Sequence, residues 1–320
     1  MRARIEANQN LLGACGLGGP TATVAQGNEQ VNEFVQALGF GLVTAAVLAL
    51  AAVGLTLQFG VTNYANFAYG DIMTLGVYLT WALTTVAHLN FGLALVFAVI
   101  AMAAITPAVA EGVMGPFVRR RSPTVVLLMV TFGLSLILNS IILAIWGANS
   151  DAFQLPGTQP LHFGALLLTP IQLTIIGGGL VAMLMIHLLL TRTGIGKRMR
   201  AVSDNRDLAR VSGISPTPVV RATWAITGAL ATLAGVSLAV EASQFSPGLG
   251  EGFLFVIFAA VILGGVGRPY GAMLGALIVG VVTELVALWL PQYKLDVAFV
   301  VLILVLLIRP QGLIASAGKV

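Results

Sequence analysis

Charge is what this sequence has least of. Of its 320 residues only 9% are Asp, Glu, Lys or Arg, against about 25% in a soluble globular domain. So few charges cannot clothe a water-facing surface, and a soluble fold is excluded. The single cysteine, Cys15, excludes an internal disulfide framework and a cysteine-rich metal site. The three histidines, His88, His162 and His187, stand far apart, and no two have ligand spacing. No Gly-x-x-x-x-Gly-Lys-Ser/Thr loop is present, so the chain lacks the Walker means of holding ATP. Gly265 and Gly267 do not continue into a dinucleotide fingerprint, because Tyr270 occupies the third glycine position and no strand precedes them. Short segments of alternating polarity are also missing, which excludes a membrane β-barrel.

What fills the chain instead is apolar. Hydrophobic residues make up 58% of it, and the mean hydropathy is +0.97. Residues 34–70, 72–110, 122–150, 152–191 and 222–240 pass without a charge. A bilayer-spanning helix needs only ~20 apolar residues. The fold class is therefore all-α, a polytopic membrane protein with about 8–10 transmembrane helices, some of them broken or re-entrant. Nine spans are predicted, at 34–57, 70–89, 91–116, 124–146, 169–191, 222–240, 252–267, 270–290 and 295–309. The seventh and ninth are short. Residues 1–33 read as a disordered tail, 34–313 as the transmembrane domain and 314–320 as a C-terminal tail. "MRAR" followed by "LLGACGLGG" makes a poor signal sequence, and "LGAC" only loosely suits a lipidation box.

The net charge of +4 reports orientation rather than a nucleic-acid partner. Arg119, Arg120 and Arg121 follow the third span, and the segment 192–221 holds seven basic and two acidic residues. The loop 147–168 has no Lys or Arg. By the positive-inside rule 117–123 and 192–221 are cytoplasmic, with Arg268, Arg309 and Lys319. The loop 147–168, the N-terminus and Lys294 are then external.

Two stretches interrupt the apolar runs. "TNYANFAYGD", residues 62–71, carries Asn63, Asn66, Tyr69 and Asp71 between the first two spans. Read blandly it is a polar turn with Asp71 capping the next helix. Read sharply it is a broken helix, since irregular backbone at membrane depth survives only inside protein or beside a wet cavity. "EASQFSPGLGEG", residues 241–252 and including Gln244, repeats the interruption late in the chain. Paired interruptions in the two halves of a transporter point to a central pathway. Gly267, Gly271 and Gly275 share one face if their helix runs through Pro269, and small residues at that spacing permit close helix packing. In 192–221, Ala201, Leu208, Ala209 and Val211 interleave with basic residues, which predicts one short amphipathic helix. It would be either an anchor at anionic headgroups or a docking helix for a cytosolic partner. Glu111 is expected to face Arg119–Arg121. Glu284 either faces a pathway or reaches for the outer surface.

In this order and at these spacings the motifs resemble those of permease subunits of branched-chain amino acid ATP-binding-cassette importers, whose relatives include urea and amide importers. The resemblance runs from about residue 34 to residue 313. "NYANFAYGD" resembles the family's Asn-Phe-Ala-His-Gly-Glu box, and "EGVMGPFVRRR" its Glu-to-Arg turn. "RTGIGKRMRAVSDNRDLARVSGI" resembles the ATPase-contacting segment, and "AVILGGVGRPYGAMLGALIVG" with "LLIRPQGL" the closing motifs. The resemblance implies a transport subunit without enzymatic activity or a cofactor of its own. Its implied partners are a homologous second permease, two cytosolic ATP-binding subunits and an extracytoplasmic solute-binding protein. It implies a pathway near Asn63, Asn66, Tyr69, Asp71 and Gln244, and an ATPase contact at Arg198, Arg200, Asp204, Arg206 and Gly213. Tyr69 stands where the family has His, and Asp71 where it has Glu, so the solute is left open among branched-chain and other amino acids, urea and short amides. On the residues alone an ion-coupled amino-acid carrier, using Asp71 and Glu284, is the competing reading.

Overall fold

The computed structural model describes residues 20–308, apart from 156–158 and 164–165. Cys15, Arg309, Lys319, most of the closing "LLIRPQGL" motif and the tail 314–320 lie outside the described residues.

Each of the nine expected spans is a helix. The helices are α1 (Pro20–Thr62), α2 (Tyr69–Thr85), α3 (Phe91–Arg119), α4 (Thr124–Trp146), α5 (Pro170–Arg192), α6 (Gly194–Asp204), α7 (Arg206–Val211), α8 (Pro216–Glu241), α9 (Leu249–Gly264), α10 (Pro269–Ala287) and α11 (Lys294–Ile308). Six are long and apolar enough to cross a membrane. The other apolar helices, α2, α9 and α11, have 17, 16 and 15 residues. At ~1.5 Å per residue these reach only ~25 Å, short of a ~30 Å hydrocarbon core. The helix α1 starts at Pro20, inside the segment expected as a tail. A two-stranded hairpin, β1 (Leu161–Phe163) with β2 (Leu166–Leu168), decorates the loop after α4 and was not anticipated.

Local chemistry sets the ends. Thr169 and Gln172 form a reciprocal capping box ahead of α5, whose first residue is Pro170. Asn90 accepts from Gly92 N at the start of α3. Gly147, at φ +82°, ends α4. Just past Pro107, which has no N–H to give, α3 takes a π-helical turn over Ala110–Met114.

The helix α1 is the axis of the molecule, with 78% of its most apolar window buried against 17% for α4. It packs on α10 and α8 through small residues: a Cβ on Gly280 would meet Ala45 Cα at 2.6 Å, and one on Gly41 would meet Val281 Cα at 2.9 Å. By contrast α4 and α5 turn apolar side chains outward, such as Met129 and Leu180.

The loops sort to two ends as the charge pattern predicts. One cavity joins Arg119, Arg206 and Arg221, so both basic clusters share one end. Opposite them Asp151 and Phe245 form an antiparallel bridge, and Phe91 meets Phe153 edge to face with ring centres 5.4 Å apart. The chain also repeats itself upside down. The order long helix, break, short helix, long helix occurs as α1–α2–α3 and again as α8–α9–α10. Correspondingly α1 packs on α10 and α8 on α3. Each break begins with a left-handed residue, Asn63 at φ 60° and Ser243 at φ 62°, which Asn tolerates better than most.

Candidate translocation site

The two breaks lead their short helices to one point. Gly70, second residue of α2, lies against Gly250, second residue of α9. A Cβ on Gly70 would meet Gly250 O at 2.5 Å, and one on Gly250 would collide with Gly70 O. Only glycine permits this approach. Gly250 N donates to Thr74 Oγ1 at 2.9 Å, which ties the two helix starts together. Both helices therefore aim their positive, N-terminal ends at the same region.

Asp71, third residue of α2, is 1% exposed. Its carboxylate accepts from Ser135 Oγ and, at 3.5 Å, from Asn139 Nδ2. Asn139 Nδ2 also donates to Pro247 O at 3.3 Å, ahead of α9, and Thr131 Oγ1 donates to Ala65 O at 3.4 Å. Thr131, Ser135 and Asn139 lie four residues apart, a polar stripe on one face of an otherwise apolar α4. Ser135 is the midpoint of that helix, which is ~34 Å long at ~1.5 Å per residue, so Asp71 sits at mid-depth. The break is thus a re-entrant segment rather than a surface turn, and Asp71 is not the helix cap. Asn66 takes the turn-forming role: fully buried, its Oδ1 accepts from Ala68 N at 3.1 Å and its Nδ2 donates to Gln58 Oε1 at 3.3 Å. The Tyr69 hydroxyl is buried without a partner among the described residues and points at Gly54 of α1. Asn63 and Gln244 are exposed at the outer bends of the two breaks, away from Asp71.

The sequence reading missed Ser135, Asn139, Gly250 and Glu251. The signals were present. The α4 stripe has helical period, and "YGD" at 69–71 is matched by "LGE" at 249–251, a glycine and an acid at the same positions of both short helices.

At the basic end the loop forms two helices, α6 and α7, rather than one. Asn205 separates them, its side chain accepting from Asp207 N and Leu208 N. The buried face is Gly196, Met199, Val202 and Ala209, whereas Leu208 and Val211 are exposed, at 64% and 86%. Arg198, Arg200 and Asp204 are exposed, and Gly213 forms the turn after α7 at φ +80°. Arg206 turns inward beside Tyr64, in the break before α2. Burial, then the nearby Arg210, lowers Arg206 from its usual value. Glu111 pairs with Arg221, not with Arg119–Arg121. Glu284 belongs to the opposite end, where it accepts from Thr44 Oγ1 at 2.6 Å and pairs with Lys294. That ion pair accounts for its charge without a pathway.

Among the predicted packing glycines, Gly271 and Gly275 do lie in tight contact, against Gly264 and Ala260 of α9. Gly267 does not share their face. Pro269 starts α10, and Gly267 sits in the preceding turn at φ +81°. His187 Nδ1 lies 2.8 Å from the Tyr270 hydroxyl. No cluster able to hold a metal occurs among the described residues.

A polytopic helical bundle with inverted halves, two re-entrant helix starts and a buried acid between them defines a membrane transport component. The family model for the branched-chain amino acid transport system permease component matches residues 37–306, and the chain belongs to that family. It is 29% identical to the high-affinity branched-chain amino acid transport system permease protein BraD of Pseudomonas aeruginosa, over 89% of this chain and 97% of that one. It is 28% identical to LivH of Escherichia coli, over 90% and 97%, and 28% identical to the probable LivH of Methanocaldococcus jannaschii, over 83% and 88%. A shorter match, 34% identical over 31% of this chain, is to the ribose import permease RbsC of Bacillus subtilis. No solved structure matches. The chain is thus a multi-pass membrane permease subunit of an importer, not an enzyme.

Proposed function

We propose that this subunit forms half of the route for a branched-chain or other hydrophobic amino acid across a bacterial inner membrane. In this reading it pairs with a homologous second permease, two cytosolic ATP-binding subunits and an extracytoplasmic solute-binding protein, with its basic end in the cytoplasm. The observation that carries the reading is the meeting of α2 and α9 at Gly70 and Gly250 beside a mid-depth Asp71. An amino acid is a zwitterion. Asp71 and Glu251 suit its ammonium group, and the two helix starts suit its carboxylate. Asn66 shapes the re-entrant turn that presents Asp71. Asp71 is closed off in this conformation, so transport requires the helix starts to part.

The coupling route is short. The exposed Leu208 and Val211, flanked by Arg198, Arg200, Asp204 and Gly213, offer an apolar tooth in a charged setting to an ATPase groove. On the inner side Arg206 abuts Tyr64, and a Cβ on Gly60 of α1 would touch Ser203 Oγ at 3.0 Å. A push on α6–α7 therefore reaches the break before α2 directly. The test is purification of the tagged chain in gentle detergent, with its companions identified and ATP hydrolysis and leucine uptake assayed after reconstitution. Two ATPases and a second permease are expected. A folded chain recovered alone that takes up solute without ATP would overturn the reading in favour of an ion-coupled carrier.

A further inference from the structure

At the basic end a cavity of about 180 Å³ opens between the π-turn of α3, α7 and the start of α8. Three arginines line it, Arg119, Arg206 and Arg221, with Tyr64, Glu111 and Trp224. Glu111 is the one carboxylate on the wall, and Arg221 occupies it. Asp207, the acid next to Arg206 in sequence, is instead within 3.8 Å of Arg210 outside the cavity. The wall thus keeps an excess of two positive charges. The buried Arg206 Nε has no acceptor among the described residues, and Trp224 Nε1, on a side chain 1% exposed, has only the Tyr64 hydroxyl beside it. Buried donors without acceptors are rare and call for an explanation. The space holds several waters at ~30 Å³ each, or one small anion with its attached atoms.

We infer that this cavity is a binding site for a phosphate-bearing anion. Planar guanidinium forks match phosphate oxygens, and Arg206 Nε, with the indole N–H of Trp224 on the same wall, supplies further bonds. The anion comes either from an anionic lipid headgroup at the membrane surface or from a soluble phosphate compound. Once bound it would link α3, α7 and α8 and hold the Arg206–Tyr64 contact in place, giving a regulatory hold on the segment that abuts the break before α2. The inference requires neither the solute nor the ATPase to be known.

The test is equilibrium binding to the full-length chain, purified and delipidated in gentle detergent. The probes are dioleoyl phosphatidylglycerol, phosphatidylcholine and inorganic phosphate, and native mass spectrometry reads lipid retention. Saturable retention of phosphatidylglycerol over phosphatidylcholine is expected, weakened roughly tenfold or more in Arg119→Gln and in Trp224→Phe through loss of charge-assisted or buried bonds. Arg192→Gln, exposed at the same basic end but outside the cavity, is expected to bind as the parent does. If phosphate at millimolar concentration displaces the lipid, or quenches tryptophan emission in the parent but not in Trp224→Phe, a soluble ligand also uses the site. Equal loss in Arg192→Gln and Arg119→Gln would mean diffuse attraction to basic charge and would overturn the inference. So would absence of any selective binding to the parent.

Discussion

Replacing Gly70 with alanine tests the central contact. The added methyl would lie 2.5 Å from Gly250 O, 2.7 Å from Gly250 C and 3.1 Å from Glu251 N. All three are backbone atoms, so no side chain can swing aside. Carbon contacts become favourable near ~3.5 Å, so the two helix starts must separate by about 1 Å. Overpacking of this kind costs about 1–3 kcal/mol, and the separation also strains the Gly250 N to Thr74 bond, about 1 kcal/mol more. Against that, alanine is the better helix former by about 0.5–1 kcal/mol. The net expectation is a loss of roughly 1–3 kcal/mol, the sum of those terms. The matched control is Gly133→Ala in α4, where an added Cβ meets nothing within 4 Å. Only the propensity gain applies there, so the two variants should move in opposite directions. Reversible unfolding in mixed detergent micelles reads the stabilities, and uptake by the reconstituted complex reads the function. Gly70→Ala should unfold earlier and transport poorly. Gly70→Ala as stable as Gly133→Ala would refute the packing argument at its root.

Further outcomes follow from the same geometry. Asp71→Asn keeps the size of the side chain but sets an amide against Asn139, so uptake should drop by about tenfold or more while assembly is retained; unaltered uptake would remove Asp71 from the pathway. Leu208→Asp combined with Val211→Asp should abolish recovery of the ATPases in a pull-down yet change stability by less than ~0.5 kcal/mol, as both side chains are exposed; full ATPase recovery would place the docking surface elsewhere. Glu251→Leu should leave the isolated chain as stable or more so, because the carboxylate is exposed beside an apolar helix, while uptake falls; a destabilised chain would mean that Glu251 is satisfied within the subunit.

How much of this was legible depended on the kind of signal. Helix positions followed from charge-free length alone, because unpaired charges in lipid are costly, and the nine expected spans are nine helices. The breaks were legible from polarity for the same reason. What polarity did not reveal was which way each polar group turns. Asn63 and Asn66 are close in sequence and equally polar, yet one is exposed at a bend and the other fully buried against Gln58. Arg206 sits among basic residues that face outward, but Asn205 breaks the helix and redirects it inward. Gly267 matched a four-residue spacing that Pro269 interrupts, since proline begins a helix more readily than it continues one. Each of these outcomes was decided by the local path of the backbone, which polarity and spacing alone do not specify.

The two inverted halves also explain why one acid is buried and its counterpart is not. Asp71 and Glu251 hold equivalent places on α2 and α9, and each half adds one further helix beside its short one, α4 in the first and α11 in the second. Only α4 carries a polar stripe, and Ser135 and Asn139 on it reach Asp71. Past Asp296, α11 reads "VAFVVLILVLLI" and has nothing to offer a carboxylate. Glu251 therefore remains exposed at a depth where lipid contact with a charge would be costly. A polar group at that depth persists when protein or a water-filled route covers it. The divergence between the halves thus sets the two acids apart: the first half seals Asp71 against the polar stripe of α4, and the second leaves the face of α9 bearing Glu251 uncovered within this subunit.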